Sequence, residues 1–178
     1  MRASILLVLL FPSLVFVLSA CGLGPAGRHF NAGNQLSDQG KWNEAKSEYD
    51  KAIGLDPKLS LAYNNRGEAY HQLGLPQRAI HDFDDTIRLD PKYANAYVSR
   101  GNAYDELGQP QRAIQDYDEA IRLNPRLDRS FYNRGLAYAG MGKYEPAVKD
   151  YDEAIQLNPK YHSAYINRGI AYVGIGPV

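Results

Sequence analysis

The side chains with the most evident chemical potential are a row of arginines. Arg66, Arg100, Arg134 and Arg168 stand 34 residues apart, and guanidiniums repeated at one interval could grip phosphates or carboxylates bidentately. The same spacing offers another use. Three of these arginines share a 34-residue unit with an aspartate, Asp82, Asp116 and Asp150. A partly desolvated guanidinium beside an apolar interior ordinarily persists by pairing with a carboxylate. The first unit has Ala32 in the arginine place and Glu48 in the aspartate place. Both partners change together there, which favours internal ion pairs over a ligand ladder. Other chemistry is thinly provided. His29, His71, His81 and His162 fall at four different phases of the interval and make no metal-ligand set. Beyond that pairing, the carboxylates at Asp82, Asp84, Asp85 and their counterparts read as solvated helix faces. The glycines recur at the interval instead of clustering into a phosphate-binding loop. No catalytic constellation, cofactor site or metal site emerges, and the chain reads as a non-enzyme.

The elements that must hold these groups are repeated helices. Gly67, Gly101, Gly135 and Gly169 keep the 34-residue interval, as do Tyr70, Tyr104, Tyr138 and Tyr172, then Ala79, Ala113 and Ala147, then Pro91, Pro125 and Pro159. A fixed period of this length marks a solenoid and not a closed globule. The units run 27–59, 60–93, 94–127 and 128–161, with a partial fifth at 162–178. Each carries two apolar stripes at helical spacing. In the third, Tyr97, Gly101, Tyr104 and Leu107 form one stripe; Ala113, Ile114, Tyr117, Ala120, Ile121 and Leu123 form the other. Gly74, Gly108 and Gly142 end the first helices. Pro76 and Pro110 open second helices, where a missing N–H costs nothing. Asp56-Pro57, Asp90-Pro91, Asn124-Pro125 and Asn158-Pro159 end them, since a residue before proline is pushed out of the helical region. Gly101, Ala113 and Ala120 are small enough to let the two helices approach closely.

Tyr63-x-x-Arg66-Gly67-x-x-Tyr70, followed by Ala79-x-x-x-Phe83 and Pro91, resembles the tetratricopeptide repeat. The third and fourth units resemble it equally; in the first, His29 and Leu36 replace the leading aromatics. The arginine before each glycine departs from the leucine often found there. The resemblance implies an all-α, right-handed α-solenoid whose concave groove is lined mostly by first helices and binds a protein or peptide. The lining it implies is Asn64, Glu68, His71 and Gln72, then Val98, Asn102, Asp105 and Glu106, then Tyr132, Leu136, Ala139 and Gly140, then Ile166, Ile170 and Val173. That order passes from polar and acidic to apolar. It either reflects drift of surface composition or suits a peptide with a basic part and a hydrophobic part. Members that grip a terminal carboxylate use two Asn with flanking cations. Asn34 with Asn65, and Asn102 with Asn133, match the Asn places. The cation places hold Phe30, Asn95 and Ser99 in one frame and Val98, Ser163 and Asn167 in the other, so the clamp is incomplete.

The charge is balanced, 20 basic against 20 acidic residues, which argues against nucleic acid as a partner. The first twenty residues stand apart. Arg2, an apolar run interrupted at Pro12, and small residues before Cys21 read as an export signal at 1–20. Cys21 is the sole cysteine and has no internal disulfide partner. Leu18-Ser19-Ala20-Cys21 resembles a bacterial lipobox, which implies cleavage before Cys21, acylation of its thiol and amino group, and a lipid-held membrane anchor. The alternatives are an uncleaved anchor and an ordinary signal with a nearby cut. Gly22 in place of Asp implies the outer membrane, facing the periplasm, in a two-membrane cell. Residues 21–26 then read as a short flexible tether. At the other end, Ile166, Ile170, Val173 and Ile175 leave a first helix with an apolar face, where a solenoid terminus normally turns polar. That end reads as a docking surface, a contact between copies that builds a homo-oligomer, or the edge of a truncated frame.

Overall fold

The computed structural model describes residues 24–176, so Cys21 and the export signal lie outside the described residues. Among the described residues nine helices follow one another: α1 (Pro25–Asp38), α2 (Trp42–Leu55), α3 (Ser60–Gln72), α4 (Pro76–Leu89), α5 (Ala94–Glu106), α6 (Pro110–Leu123), α7 (Asp128–Gly140), α8 (Tyr144–Leu157) and α9 (His162–Ile175). Among the described residues there is no strand. None of these helices is long and apolar enough to cross a membrane.

Each boundary has a local cause. Gly40, Gly74, Gly108 and Gly142 all take φ near +70°, a region open to glycine at little cost. That conformation turns the chain so that Leu75 N–H reaches Tyr70 O at 3.0 Å and Gln109 N–H reaches Tyr104 O at 2.9 Å. These bonds satisfy carbonyls the helix end would otherwise orphan. At the far end of the second helices, Asp90 and Asn124 accept the N–H of Lys92 and Arg126, both at 3.1 Å, building the turn into the next unit. Pro25, Pro76 and Pro110 sit in the first turns of α1, α4 and α6. Helix α1 therefore starts at Pro25, inside the stretch read as a tether, because a fixed φ near −65° is already helical.

The helices pair as hairpins, α1 with α2, α3 with α4, α5 with α6 and α7 with α8, and α9 packs on α8. Successive first helices also touch, α1 to α3, α3 to α5, α5 to α7 and α7 to α9, whereas no second helix touches another among the described residues. One wall is thus a continuous row of first helices, and hairpins distant in the chain stay apart. This is an α-solenoid, as the interval predicts. Its core is segmented. Tyr49, Phe83, Tyr117 and Tyr151 on second helices are each at most 1% exposed. Each ring lies against a glycine of its own first helix, Gly33, Gly67, Gly101 and Gly135. A methyl group on Gly101 would sit 2.6 Å from Cε1 of Tyr117, so glycine is what allows the hairpin to close.

Candidate functional site

The arginine row is consumed inside the structure. Arg66 donates from Nε and Nη2 to both oxygens of Asp82, at 2.8 and 2.6 Å, and from Nη1 to Asp50 at 2.7 Å. Arg100 holds Asp116 at 2.9 and 2.6 Å and Asp84 at 2.6 Å. Arg134 holds Asp150 at 2.9 and 2.6 Å and Asp118 at 2.5 Å. The first carboxylate of each set belongs to the arginine's own unit and is buried; the second comes from the unit before and is exposed. Asp82 and its counterparts are therefore buried and not on a solvated face, and Asp84 and its counterparts are not free carboxylates. They tie one hairpin to the next, a contact invisible when each unit is read alone. The leading aromatic of each motif flanks its arginine, with Tyr63, Tyr97, Phe131 and Tyr165 centred 5.4–5.7 Å from the guanidinium carbon, within cation–π range. Burial pushes the Asp82, Asp116 and Asp150 carboxyls up from their ordinary value, and the bidentate guanidinium opposes it. In the first unit, His29 Nδ1 meets Glu48 Oε2 at 2.6 Å. The histidine thus takes over the acid that lost its arginine. Glu48 lies below its ordinary value, first through Lys51 and then through His29.

The wall of first helices carries two equivalent polar stations. In one, Asn65 Nδ2 donates to Asn34 Oδ1 at 2.8 Å, and Tyr49 hydroxyl donates to the same oxygen at 2.9 Å. In the other, Asn133 Nδ2 and Tyr117 hydroxyl both donate to Asn102 Oδ1 at 2.8 Å. Burial holds the Tyr117 hydroxyl well above its ordinary value, so it stays a donor. The stations lie two units apart. Between them Ser99 donates to Glu68, and beyond them Asn167 donates to the Tyr132 hydroxyl at 2.8 Å. A recess of about 380 Å³ opens at the first station, lined by Asn34, Ser37, Asp38, Trp42, Tyr49, Asn65 and Glu68. A second of about 370 Å³ is lined by His71, Asn102, Asp105, Glu106, Tyr117, Asn133 and Leu136. In it His71 Nε2 faces Glu106 Oε2 at 2.9 Å. Asp105 is exposed, yet the wall beside it removes enough water to push its carboxyl above the ordinary range.

Five of the expected lining residues thus meet in one recess: His71, Asn102, Asp105, Glu106 and Leu136. Glu68 belongs to the other, and Gln72 is exposed. Ile166, Ile170 and Val173 are 64%, 61% and 82% exposed. Three expected positions differ. Val98 is 3% exposed, packed with Tyr104, Ala113 and Tyr117. Asn64 is 6% exposed, with Nδ2 on Asn65 and Oδ1 without a partner among the described residues. Tyr132 is half-buried between the Tyr151 and Tyr161 rings. All three hold the same place in their units, one turn before the groove-facing residue, and that phase falls in the seam between units. The groove residues missed by sequence reasoning are Ser37, Asp38 and Trp42, together with the Tyr49 and Tyr117 hydroxyls. These tyrosines read as core because their rings are core; only their hydroxyls reach the groove.

Residues 60–93, 94–127 and 129–161 match the tetratricopeptide repeat model, and residues 33–74 match a second TPR repeat model. The chain belongs to the tetratricopeptide-repeat family. Among solved structures it is similar to a crystal structure of MamA, with 30% identity and a TM-score of 0.76 over 85% of this chain and 82% of that one. It shares its fold with YrrB, described as a TPR protein with an unusual peptide-binding site, at 24% identity and TM-score 0.69 over 83% and 76% of the two chains. The first TPR of Spaghetti (RPAP3), bound to the HSP90 peptide SRMEEVD, also shares the fold, at 24% identity and TM-score 0.65 over 66% of this chain and 94% of that one. No curated protein matches the chain.

Proposed function

We propose that this chain is a non-catalytic scaffold that captures an extended peptide in its groove while lipid on Cys21 keeps it at a bacterial membrane. The observation that carries the groove reading is the recess at Asn102 and Asn133. Their amide groups are fixed by each other and by Tyr117, while Asn102 Nδ2 and Asn133 Oδ1 have no partner among the described residues. A fixed donor beside a fixed acceptor suits a peptide backbone. Asp105 and Glu106 flank them, and Leu136, Ile170 and Val173 continue the lining towards α9. The occupant is therefore a peptide with basic residues over α5 and apolar residues towards the last unit. YrrB and the RPAP3 repeat, peptide binders by description, share the fold that makes such a groove.

The probe is a fluorescent peptide with two lysines followed by two spaced leucines. Asp105→Lys with Glu106→Lys should weaken its binding about tenfold or more by like-charge repulsion, with the helical circular dichroism unchanged. Equal affinity for the double variant and the parent would remove the acidic groove from this reading. Membrane attachment has its own test. Cys21→Ser should move the protein from the membrane to the soluble fraction, because acyl chains contribute about 0.8 kcal/mol per buried methylene. Retention of the variant would overturn lipidation. Self-association through the apolar face of α9 is the second reading, favoured by the exposure of Ile166, Ile170 and Val173.

A further inference from the structure

The fourth unit lacks three donor groups with which its neighbours close one place on their surface. In the third unit Arg112 shuts that place. Its guanidinium carbon lies 3.9 Å from the centre of the Tyr104 ring, and Nη2 donates to the Tyr104 hydroxyl at 2.6 Å. In the second unit Arg78 lies over Tyr70 at 5.8 Å. The fourth unit keeps the ring as Tyr138 but has Pro146 in the arginine place. A second arginine is missing further along the helix. Arg88 pairs with Asp85 at 2.7 Å and Arg122 with Glu119 at 2.6 Å. The same places in α8 hold Gln156 and Glu153, and Glu153 makes no hydrogen bond or ion pair among the described residues. The third donor is a hydroxyl. Tyr63 and Tyr97 donate to the carbonyls of Pro57 and Pro91 at 3.4 and 3.2 Å. Phe131 stands in their place and has nothing to donate to Pro125.

These positions meet. Pro125, Phe131, Tyr138, Pro146 and Glu153 line one recess of about 580 Å³ between α7 and α8, larger than either recess of the groove. Arg134 also lines it but is held by Asp150 and Asp118. Lys149 stands one turn before Glu153 and makes no ion pair with it among the described residues. Helix α7 turns Phe131, Arg134 and Tyr138 to this side and Asn133 and Leu136 to the opposite one, so the recess is separate from the groove. The fourth unit is packed on both sides, by α6 and by α9. The opening is therefore made by substitutions inside the repeat.

We infer that this recess takes an arginine side chain presented by a partner protein. The guanidinium stacks on the Tyr138 ring, as Arg112 does on Tyr104, and its edge donates to Glu153 and to the Pro125 carbonyl. The three groups left open are a ring face, a carboxylate and a carbonyl, and none of them is a donor except through the Tyr138 hydroxyl. A planar group with five N–H donors matches that set. An ammonium brings charge but no plane to lay on the ring. Charge agrees, because Arg134 lies between two carboxylates and Lys149 offsets one of them, which leaves Glu153 in excess.

The probe is a labelled hexapeptide with one central arginine among glycines and serines. It is titrated against the full chain in mild detergent, in a background of Asp105→Lys with Glu106→Lys, so that the acidic groove does not compete and its failure is read separately. Saturable binding is expected. Pro146→Arg with Gln156→Arg restores the two side chains that close the other units, and it should weaken binding about tenfold or more with the helical circular dichroism unchanged. Citrulline in place of the arginine keeps the shape and removes the charge, and it should weaken binding as far. Absence of saturable binding, equal binding by the closed variant, or equal binding of the citrulline peptide would each overturn the inference. So would light scattering that shows a dimer split by Pro146→Arg with Gln156→Arg, because a second copy of the chain would then occupy the recess.

Discussion

Asp116→Ala should lower the urea unfolding midpoint by the equivalent of about 3 kcal/mol, whereas Asp84→Ala should cost less than about 1 kcal/mol. Both aspartates bond the same guanidinium at 2.6 Å, so distance does not separate them. Burial does. The Asp116 side chain is 8% exposed and that of Asp84 is 48% exposed. Removing Asp116 leaves two donors of a half-buried arginine facing an emptied, dry position, and the unpaired charge dominates the cost. Asp84 lies in water, which replaces it readily and screens the pair while it exists. The figure for Asp116 is the low end of the range for broken buried pairs because Asp84 still holds Nη1. Equal losses for the two variants would show that water reaches Asp116 as freely as Asp84.

The second large effect is steric. Gly101→Ala trades a gain in helix propensity of up to about 1 kcal/mol against overpacking of about 1–3 kcal/mol. The overpacking should win. The new methyl would lie 2.6 Å from a ring that is 1% exposed and whose hydroxyl is tied to Asn102, so Tyr117 has nowhere to turn. Gly101→Leu should reach about 3 kcal/mol, the top of that range. Gly169→Ala is the matched control. It keeps the propensity gain and meets no neighbour among the described residues, so it should stabilise by up to about 1 kcal/mol. Thermal unfolding of the two alanine variants should therefore move in opposite directions. A stabilised Gly101→Ala protein would mean that α5 and α6 are not in contact at this point.

The interval alone determined a great deal. Seven helix starts or stops follow from Gly74, Gly108, Gly142, Pro76, Pro110, Asp90 and Asn124, because φ preference and proline sterics act within a few residues. Close packing at Gly101 and the pairing of Arg100 with Asp116 were also legible, since a periodic sequence repeats each contact and so reveals which residues change together. What lay beyond the sequence was everything set by the relative rotation of neighbouring hairpins. That rotation carries Asp84 to Arg100 across a unit boundary. It turns Val98 and Asn64 into the seam and leaves Asn102 and Asp105 on the groove. Along one helix these positions are separated by a single turn, and helical periodicity assigns them the same stripe. Only the packing angle between units, fixed by the summed fit of many side chains, decides which of them meets water, and so which of them a partner can touch.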